Sequence, residues 1–325
     1  MRAFGYETST NMEDATSDAG NHSAFLAGGT TLVDLMKLDV MTPSQVVDIN
    51  QLPMRGIKLT SEGLHIGALE KMSDVAEHPD VVARYPVISQ ALLKSASAQI
   101  RNMASMGGNL LQRTRCGFFR DVSTPCNKRQ PGSGCPAIDS WNRGFAILGG
   151  SLSCVATHPS DLAVALVALE ASVRLQTGAS ERIVKLDDFY FLPGDTPEKE
   201  NQLKPGELIT EIRIPPLPWA RRSLYLKIRD RESYEFALAS VALALDLNGD
   251  TIRDARVAVG GVGTKPWNLP NVRAALIGKP LNQQSFEAAA EVATEGAKPL
   301  RNNGFKVKLV QKTIVRALMS LGGLA

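Results

Sequence analysis

Residues 24–34 read Ala-Phe-Leu-Ala-Gly-Gly-Thr-Thr-Leu-Val-Asp, and the fold turns on how this stretch is read. A short apolar strand runs into Gly28-Gly29, and a helix with apolar positions Leu32, Val33, Leu35 and Met36 follows. Glycines at a strand-to-helix turn let the backbone approach an anion, and the helix N-terminus offers unpaired N–H groups to it. Thr30 and Thr31 add hydroxyl donors. The spacing is not G-x-G-x-x-G, so a nicotinamide-type Rossmann site is not indicated. Taken alone, a Gly-Gly-Thr is more often a plain βα turn than a ligand site.

Working outward, residues 45–50 and 63–69 have strand patterns, and 81–94 has helical periodicity with Val82, Tyr85, Val87, Ile88, Ala91 and Leu92 on one broad face. A second glycine pair, Gly107-Gly108, follows Ser105 and precedes Asn109. Ser160 or Asp161 is placed to cap a helix over 162–169. A hairpin is expected from 173–176 and 182–185 around Gly178-Ala179-Ser180, then a Pro/Gly/Asp-rich loop over 193–204. Pro215-Pro216-Leu217-Pro218 cannot continue a sheet and marks a domain boundary. Beyond it, 224–229, 238–247 and 256–262 form a three-stranded antiparallel meander turning at Asn248-Gly249-Asp250, and helices follow at 271–277, 284–297 and 307–321.

All four cysteines lie in one irregular segment, as Cys116, Cys126, Cys135 and Cys154. Core cysteines would be scattered through apolar elements. The spacing C-x9-C-x8-C-x18-C has no C-x-x-C knuckle, which argues against the usual structural zinc pattern. Disulfides suit small secreted domains that lack a core, and a chain of 325 residues is long enough to have one. Four thiolates matching the four irons of a cubane cluster is the sharper reading, with zinc and disulfides left open. Since most of the segment from Arg115 to Trp141 lacks a strong apolar pattern, it is expected to need a bound group for order.

The composition, 44% hydrophobic and 21% charged, is that of an ordinary globular protein, and a net charge of +3 is too small to make nucleic acid the main partner. No apolar run is long enough to span a membrane. Met1-Arg2-Ala3-Phe4-Gly5-Tyr6 has neither an apolar h-region nor a twin arginine, so no export signal is expected here. No Ser/His/Asp or Cys/His nucleophile set stands out. His65 sits in a strand pattern and is read as structural; His158, just past Cys154, is read as a loop residue.

The order Ala27-Gly28-Gly29-Thr30, then Ser105-x-Gly107-Gly108-Asn109, then Pro159-Ser160-Asp161-Leu162 resembles the flavin subunits of the xanthine dehydrogenase and aldehyde oxidoreductase family of molybdenum hydroxylases. The resemblance extends over nearly the whole chain. Within the family, Leu111 to Cys116, Pro125 to Arg129 and Pro131 to Cys135 are similar to the cysteine insert of bacterial periplasmic aldehyde oxidoreductase flavin subunits.

This resemblance implies an α+β fold: a two-part FAD-binding α/β domain of the PCMH type over 1–217, with a 4Fe-4S-binding insert at about 112–154, and a C-terminal flavoprotein domain of the CO dehydrogenase type over 218–325. It implies that Ala27, Gly28, Gly29, Thr30, Thr31 and Leu32 wrap the FAD pyrophosphate, and that Ser105, Gly107, Gly108 and Asn109 form the second wall of the cleft. Asp161 would hold hydroxyls of the FAD sugar or ribityl portion, and Lys227 would contact the flavin, although it reads equally well as a solvated strand residue. Cys116, Cys126, Cys135 and Cys154 would ligate a [4Fe-4S] cluster. The implied partners are a molybdenum-cofactor large subunit and a [2Fe-2S] small subunit in a heterotrimer, with an external electron acceptor. The implied compartment is the periplasm, reached with a signal-bearing partner, with the cytoplasm as the alternative. The competing functions are a stand-alone flavin-dependent oxidase, which would need a catalytic base that no residue supplies, and a zinc-stapled FAD-binding docking subunit.

Overall fold

In the computed structural model, which describes residues 1–17, 22–178 and 180–324, the apolar run before Gly28 is a strand and a helix starts after Thr31. Among the described residues the strands form three sheets. Strands β1 (Gly5–Thr8), β2 (Ser23–Leu26) and β3 (Gln45–Asp48) pair in parallel in the order β1-β3-β2. The sequence pattern gives no sign of β1, because Gly-Tyr-Glu-Thr has no apolar alternation and all four residues are exposed.

The second sheet is antiparallel, with β4 (Ile57–Thr60), β5 (Gly63–Gly67), β6 (Ser172–Thr177), β7 (Ser180–Lys185) and β8 (Leu208–Ile214) in the order β4-β5-β8-β6-β7. The expected hairpin is therefore present as β6 and β7, and Ala179 in its turn lies outside the described residues. Leu64, Ile66, Val173 and Ile212 of this sheet share a core with Ile88, Leu92, Leu162 and Leu166 of the helices laid on it. The periodic segment 81–94 is two helices, Pro79–Arg84 and Pro86–Leu93, rather than one. Pro86 lacks an N–H and forces Tyr85 out of helical geometry, to φ −136° and ψ 55°. The break turns Val82 outward, 48% exposed, while Tyr85, Val87, Ile88, Ala91 and Leu92 stay buried.

The C-terminal sheet is antiparallel, with β9 (Ser223–Ile228), β10 (Ala239–Asn248), β11 (Thr251–Gly260) and β12 (Trp267–Asn268) in the order β12-β11-β10-β9. Two-residue β12 is an addition to the expected three strands, too short to carry a periodic signal. Helices Pro270–Leu276, Gln283–Glu291 and Phe305–Leu321 cover one face of this sheet; the helix expected to reach residue 297 gives way to a 3-10 turn after Glu291. The other face meets helices Pro86–Leu93 and Asp161–Ala168. Every residue of Asp161–Ala168 is buried, as befits a helix lying between two sheets. Tyr225, Ala242 and Ala258 of the C-terminal sheet accordingly belong to the N-terminal core.

The cysteine segment is held from three sides by the protein's own groups. Arg120 makes a two-pronged ion pair with Asp34 (2.8 and 2.9 Å), in the helix that follows the first glycine turn. Arg129 donates to the carbonyls of Phe118, Phe119 and Thr124, and the Asn127 amide bonds Ser153 O and Gly134 N. These are side chain-to-backbone bonds between loop residues, which leave no trace in hydrophobic periodicity. At its C-terminal end the segment docks on the last helix. Asn303 Nδ2 donates to Phe145 O, and the fully buried Lys306 Nζ donates to Gly144 O (3.0 Å) and Gly261 O (2.7 Å).

Burial, aided by the Arg143 cation, pushes the Lys306 ammonium down from 10.5 to about 7. Between those values the unfolded chain binds the proton and the folded chain does not, so this lysine makes stability rise with pH through that window. Urea unfolding across about pH 7 to 9 should therefore show a stability gain in the parent that Lys306→Met lacks. Parallel pH profiles for the two proteins would contradict this assignment.

Candidate cofactor site

The first wall of the site is the turn at residues 27–31. A Cβ at Gly28 would lie 2.0 Å from the Met103 carbonyl oxygen, so the turn rests directly on the backbone that leads into Ser105. Gly29 has φ +70°, a left-handed conformation that side chains rarely adopt. Asn50 Nδ2 fixes the turn by donating to Ala27 O (3.0 Å). Thr31 stands at the helix N-cap, and its hydroxyl makes no capping bond.

The second wall begins at Ser105, which caps helix Met106–Leu110 by accepting from Gly108 N (3.2 Å). Asn109 points inward and is buried; its Oδ1 accepts from Ser160 Oγ (2.6 Å). Ser160 Oγ in turn accepts from Ala163 N (3.0 Å), which makes Ser160, and not Asp161, the cap of helix Asp161–Ala168. The structure thus brings together the two glycine walls and the Ser160-Asp161 pair, three stretches that are remote in sequence.

Asp161 is the hub of a buried polar cluster. One carboxylate oxygen accepts from Tyr225 OH (2.6 Å), the other from Lys227 Nζ (2.8 Å) and Ser95 Oγ (3.1 Å). Lys227 also donates to Lys94 O (3.0 Å), and its side chain is 1% exposed, which excludes the solvated-strand reading. Burial, reinforced by the Asp161 charge, raises the Tyr225 phenol well above its ordinary range, so it donates as a neutral group. Burial and the neighbouring Arg229 and Lys227 cations lower Lys94, whose ammonium donates to Tyr225 O (2.8 Å).

The four cysteines line one cavity of about 10 Å³. Among the described residues none is in a disulfide, and no three His, Cys, Asp or Glu side chains converge on a point that could hold a single metal ion. Burial, together with the Cys126 and Cys154 thiols, raises Cys116 to about 11, and burial likewise raises Cys135 and Cys154. Backbone N–H groups work the other way: those of Phe118 and Phe119 bond Cys116, those of Val155, Ala137 and Ile138 bond Cys135, and that of Ala156 bonds Cys154. Donors aimed at sulfur favour the thiolate.

A neighbouring cavity of about 40 Å³ runs from Leu110 and Leu111 of the second wall to the cysteine cavity, and the two share Thr114, Lys128, Cys154 and Ala156. His158 lines it, with its ring edge-on to Tyr190 at 4.5 Å. Burial drives His158 down to about 3, so it is a neutral wall residue and not a proton carrier near neutral pH. Glu200 lies between Arg113 (2.6 Å) and Lys128 (2.8 Å). Burial opposes its ionisation, but the two cations prevail and hold it below the usual carboxylate range.

Residues 2–217 match the FAD-binding domain of molybdopterin dehydrogenases, and residues 224–321 match the C-terminal domain of CO dehydrogenase flavoproteins. This chain belongs to the FAD-binding subunits of the molybdenum hydroxylases. Over 322 residues, 98% of each chain, it is 44% identical to the aldehyde oxidoreductase FAD-binding subunit PaoB of Escherichia coli K12. Over 305 residues, 93% of this chain and 91% of the relative, it is 29% identical to the glyceraldehyde dehydrogenase medium chain of Sulfolobus acidocaldarius. The fold is also that of a chain of carbon monoxide dehydrogenase from Hydrogenophaga pseudoflava, with TM-score 0.76, 24% identity and coverage of 100% and 99%. As a member of this family the chain binds FAD and is an oxidoreductase component.

For this FAD-binding subunit, sequence reasoning missed Ser95, Tyr225, Lys128 and Glu200. Tyr225 was within reach, since period two along β9 places it on the same face as Lys227. Ser95 and Glu200 meet their partners only through tertiary packing. The cluster around Asp161 makes a clear prediction. Asp161→Asn leaves the buried Lys227 ammonium without its anion, which should cost about 3–5 kcal/mol. A simple helix cap would cost about 1 kcal/mol. Urea unfolding distinguishes the two, and a loss near the smaller figure would remove Asp161 from its place at the hub.

Proposed function

We propose that this chain is the FAD- and [4Fe-4S]-carrying electron-transfer subunit of a molybdenum-containing aldehyde oxidoreductase. The observation that carries the reading is the cavity lined by Cys116, Cys126, Cys135 and Cys154, which adjoins the second glycine wall through a shared set of residues. Three of the four thiols receive backbone N–H bonds, which favour the thiolate form that ligates iron. The sequence spacing C-x9-C-x8-C-x18-C, without a C-x-x-C knuckle, argues against a zinc staple. The left-handed turn at Gly29 (φ +70°), seated on the Met103 backbone through Gly28, suits the close approach of a diphosphate. The aldehyde assignment rests on the similarity to the Escherichia coli subunit.

When bound, FAD and the cluster supply the two-electron and one-electron redox chemistry. This chain's residues do the rest. The 27–32 turn and Ser105, Gly107, Gly108 and Asn109 hold the dinucleotide from two sides, and Lys227 and Asp161 key the wall on which it lies. Thr114, Lys128 and Ala156, together with Cys154, line both the cysteine cavity and the neighbouring cavity that reaches Leu110 and Leu111. Substrate oxidation belongs to a molybdenum-cofactor large subunit, with a [2Fe-2S] small subunit passing electrons to this chain and an external acceptor receiving them. The assembled heterotrimer reaches the periplasm with a partner that carries the signal, and fractionation with and without that signal tests the location.

The assembled enzyme should contain about four irons per flavin beyond those of the small subunit, with a broad visible absorbance under the flavin bands. Cys126→Ser should lower the iron and the absorbance while FAD stays bound, since the glycine turns lie outside the cysteine segment. Zinc in place of iron in the parent, or an unchanged iron content in the variant, would overturn the reading.

A further inference from the structure

Lys128 has a position that ligation alone does not require. It lines both the cysteine cavity and the neighbouring cavity that reaches Leu110 and Leu111. Its side chain is 12% exposed, and its Nζ is fixed 2.8 Å from Glu200 Oε1 and 2.8 Å from Pro197 O. Lys128 lines both cavities together with Cys154. Around it stand Arg113 on the far side of Glu200, the neutral His158 and Lys199. One carboxylate thus faces Arg113 and Lys128 together, so the wall next to Cys154 keeps a positive balance.

We infer that Lys128 is a positioning residue that sets the reduction potential of the metal group held by the four cysteines, with Glu200 as its electrostatic counterweight. The inference rests on the iron–sulfur reading given above. Adding an electron to a cluster adds negative charge, and a cation on the wall of its cavity stabilises the reduced form. Glu200 offsets part of that effect. Because Cys154 and Lys128 both border the cavity that reaches Leu110 and Leu111, the bias falls on the face of the site toward the end of helix Met106–Leu110.

The test is a redox titration of the assembled enzyme, followed by electron paramagnetic resonance, with iron content measured on each sample. Lys128→Met should lower the midpoint by an amount equivalent to about a tenfold change in the one-electron equilibrium, about 59 mV. Glu200→Gln should raise it, and Lys128→Arg should leave it at the parent value. A structural role alone would not shift the two charge variants in opposite directions. If Lys128→Met fails to hold iron, the sign of the Glu200→Gln shift decides the question. Iron-loaded charge variants with the parent midpoint would overturn the inference and leave the cluster reading standing. An iron-free parent would overturn both.

Discussion

The ion pair between Asp161 and Lys227 is the constraint on which the rest of the structure depends. Two charges withdrawn from water are costly to bury, and such a pair is tolerated only where further hydrogen bonds satisfy both groups. Here Tyr225 and Ser95 complete the carboxylate, and the Lys94 carbonyl takes a further bond from the ammonium. The five residues come from three places: the end of helix Pro86–Leu93, the start of helix Asp161–Ala168, and strand β9 of the C-terminal domain. Such a cluster fits in one relative placement of the two domains. Apolar residues alone would pack well enough in several, whereas a shifted β9 would strand a buried charge.

That fixed placement carries through to the cofactor site by short steps. Asp161 begins the helix that Ser160 caps; Ser160 bonds Asn109; Asn109 belongs to the wall whose approach, at Met103, supports the Gly28 turn. The same turn is followed by the helix whose Asp34 grips Arg120 of the cysteine segment. The flavin walls, the cysteine cavity and the domain junction are therefore one mechanically connected unit. Thr114, Lys128, Cys154 and Ala156 are shared by the cysteine cavity and the cavity that reaches Leu110 and Leu111.

Much of this was legible in the chain because local chemistry and fold agree. The strand, Gly-Gly turn and helix at 23–37, the hairpin at 172–185 and the meander beyond the prolines follow from periodicity and turn residues. The two glycine walls and the Ser160-Asp161 pair were legible as ordered motifs, and the fold brings these stretches together. What escaped depends on contacts between distant segments. Strand β1 is exposed and exists only by pairing with β3. The break at Tyr85 was marked by Pro86 and outweighed by the helical period around it. Lys306 looks like any helix surface lysine, yet it is buried against two carbonyls from other elements. The bonds that hold the polar, irregular segment around the cysteines, such as those of Arg129, have no periodic signature.

The claim that the cofactor site and the domain junction are one unit is tested most directly by urea unfolding of the FAD-loaded protein with two probes. Trp267 in β12 reports the C-terminal domain once Trp141 and Trp219 are replaced by Phe, and flavin anisotropy reports bound FAD. Coincident midpoints are predicted, because loss of the β9 contacts to Asp161 removes the support of the wall that holds the dinucleotide. Flavin that remains bound after the Trp267 transition is complete would contradict the account.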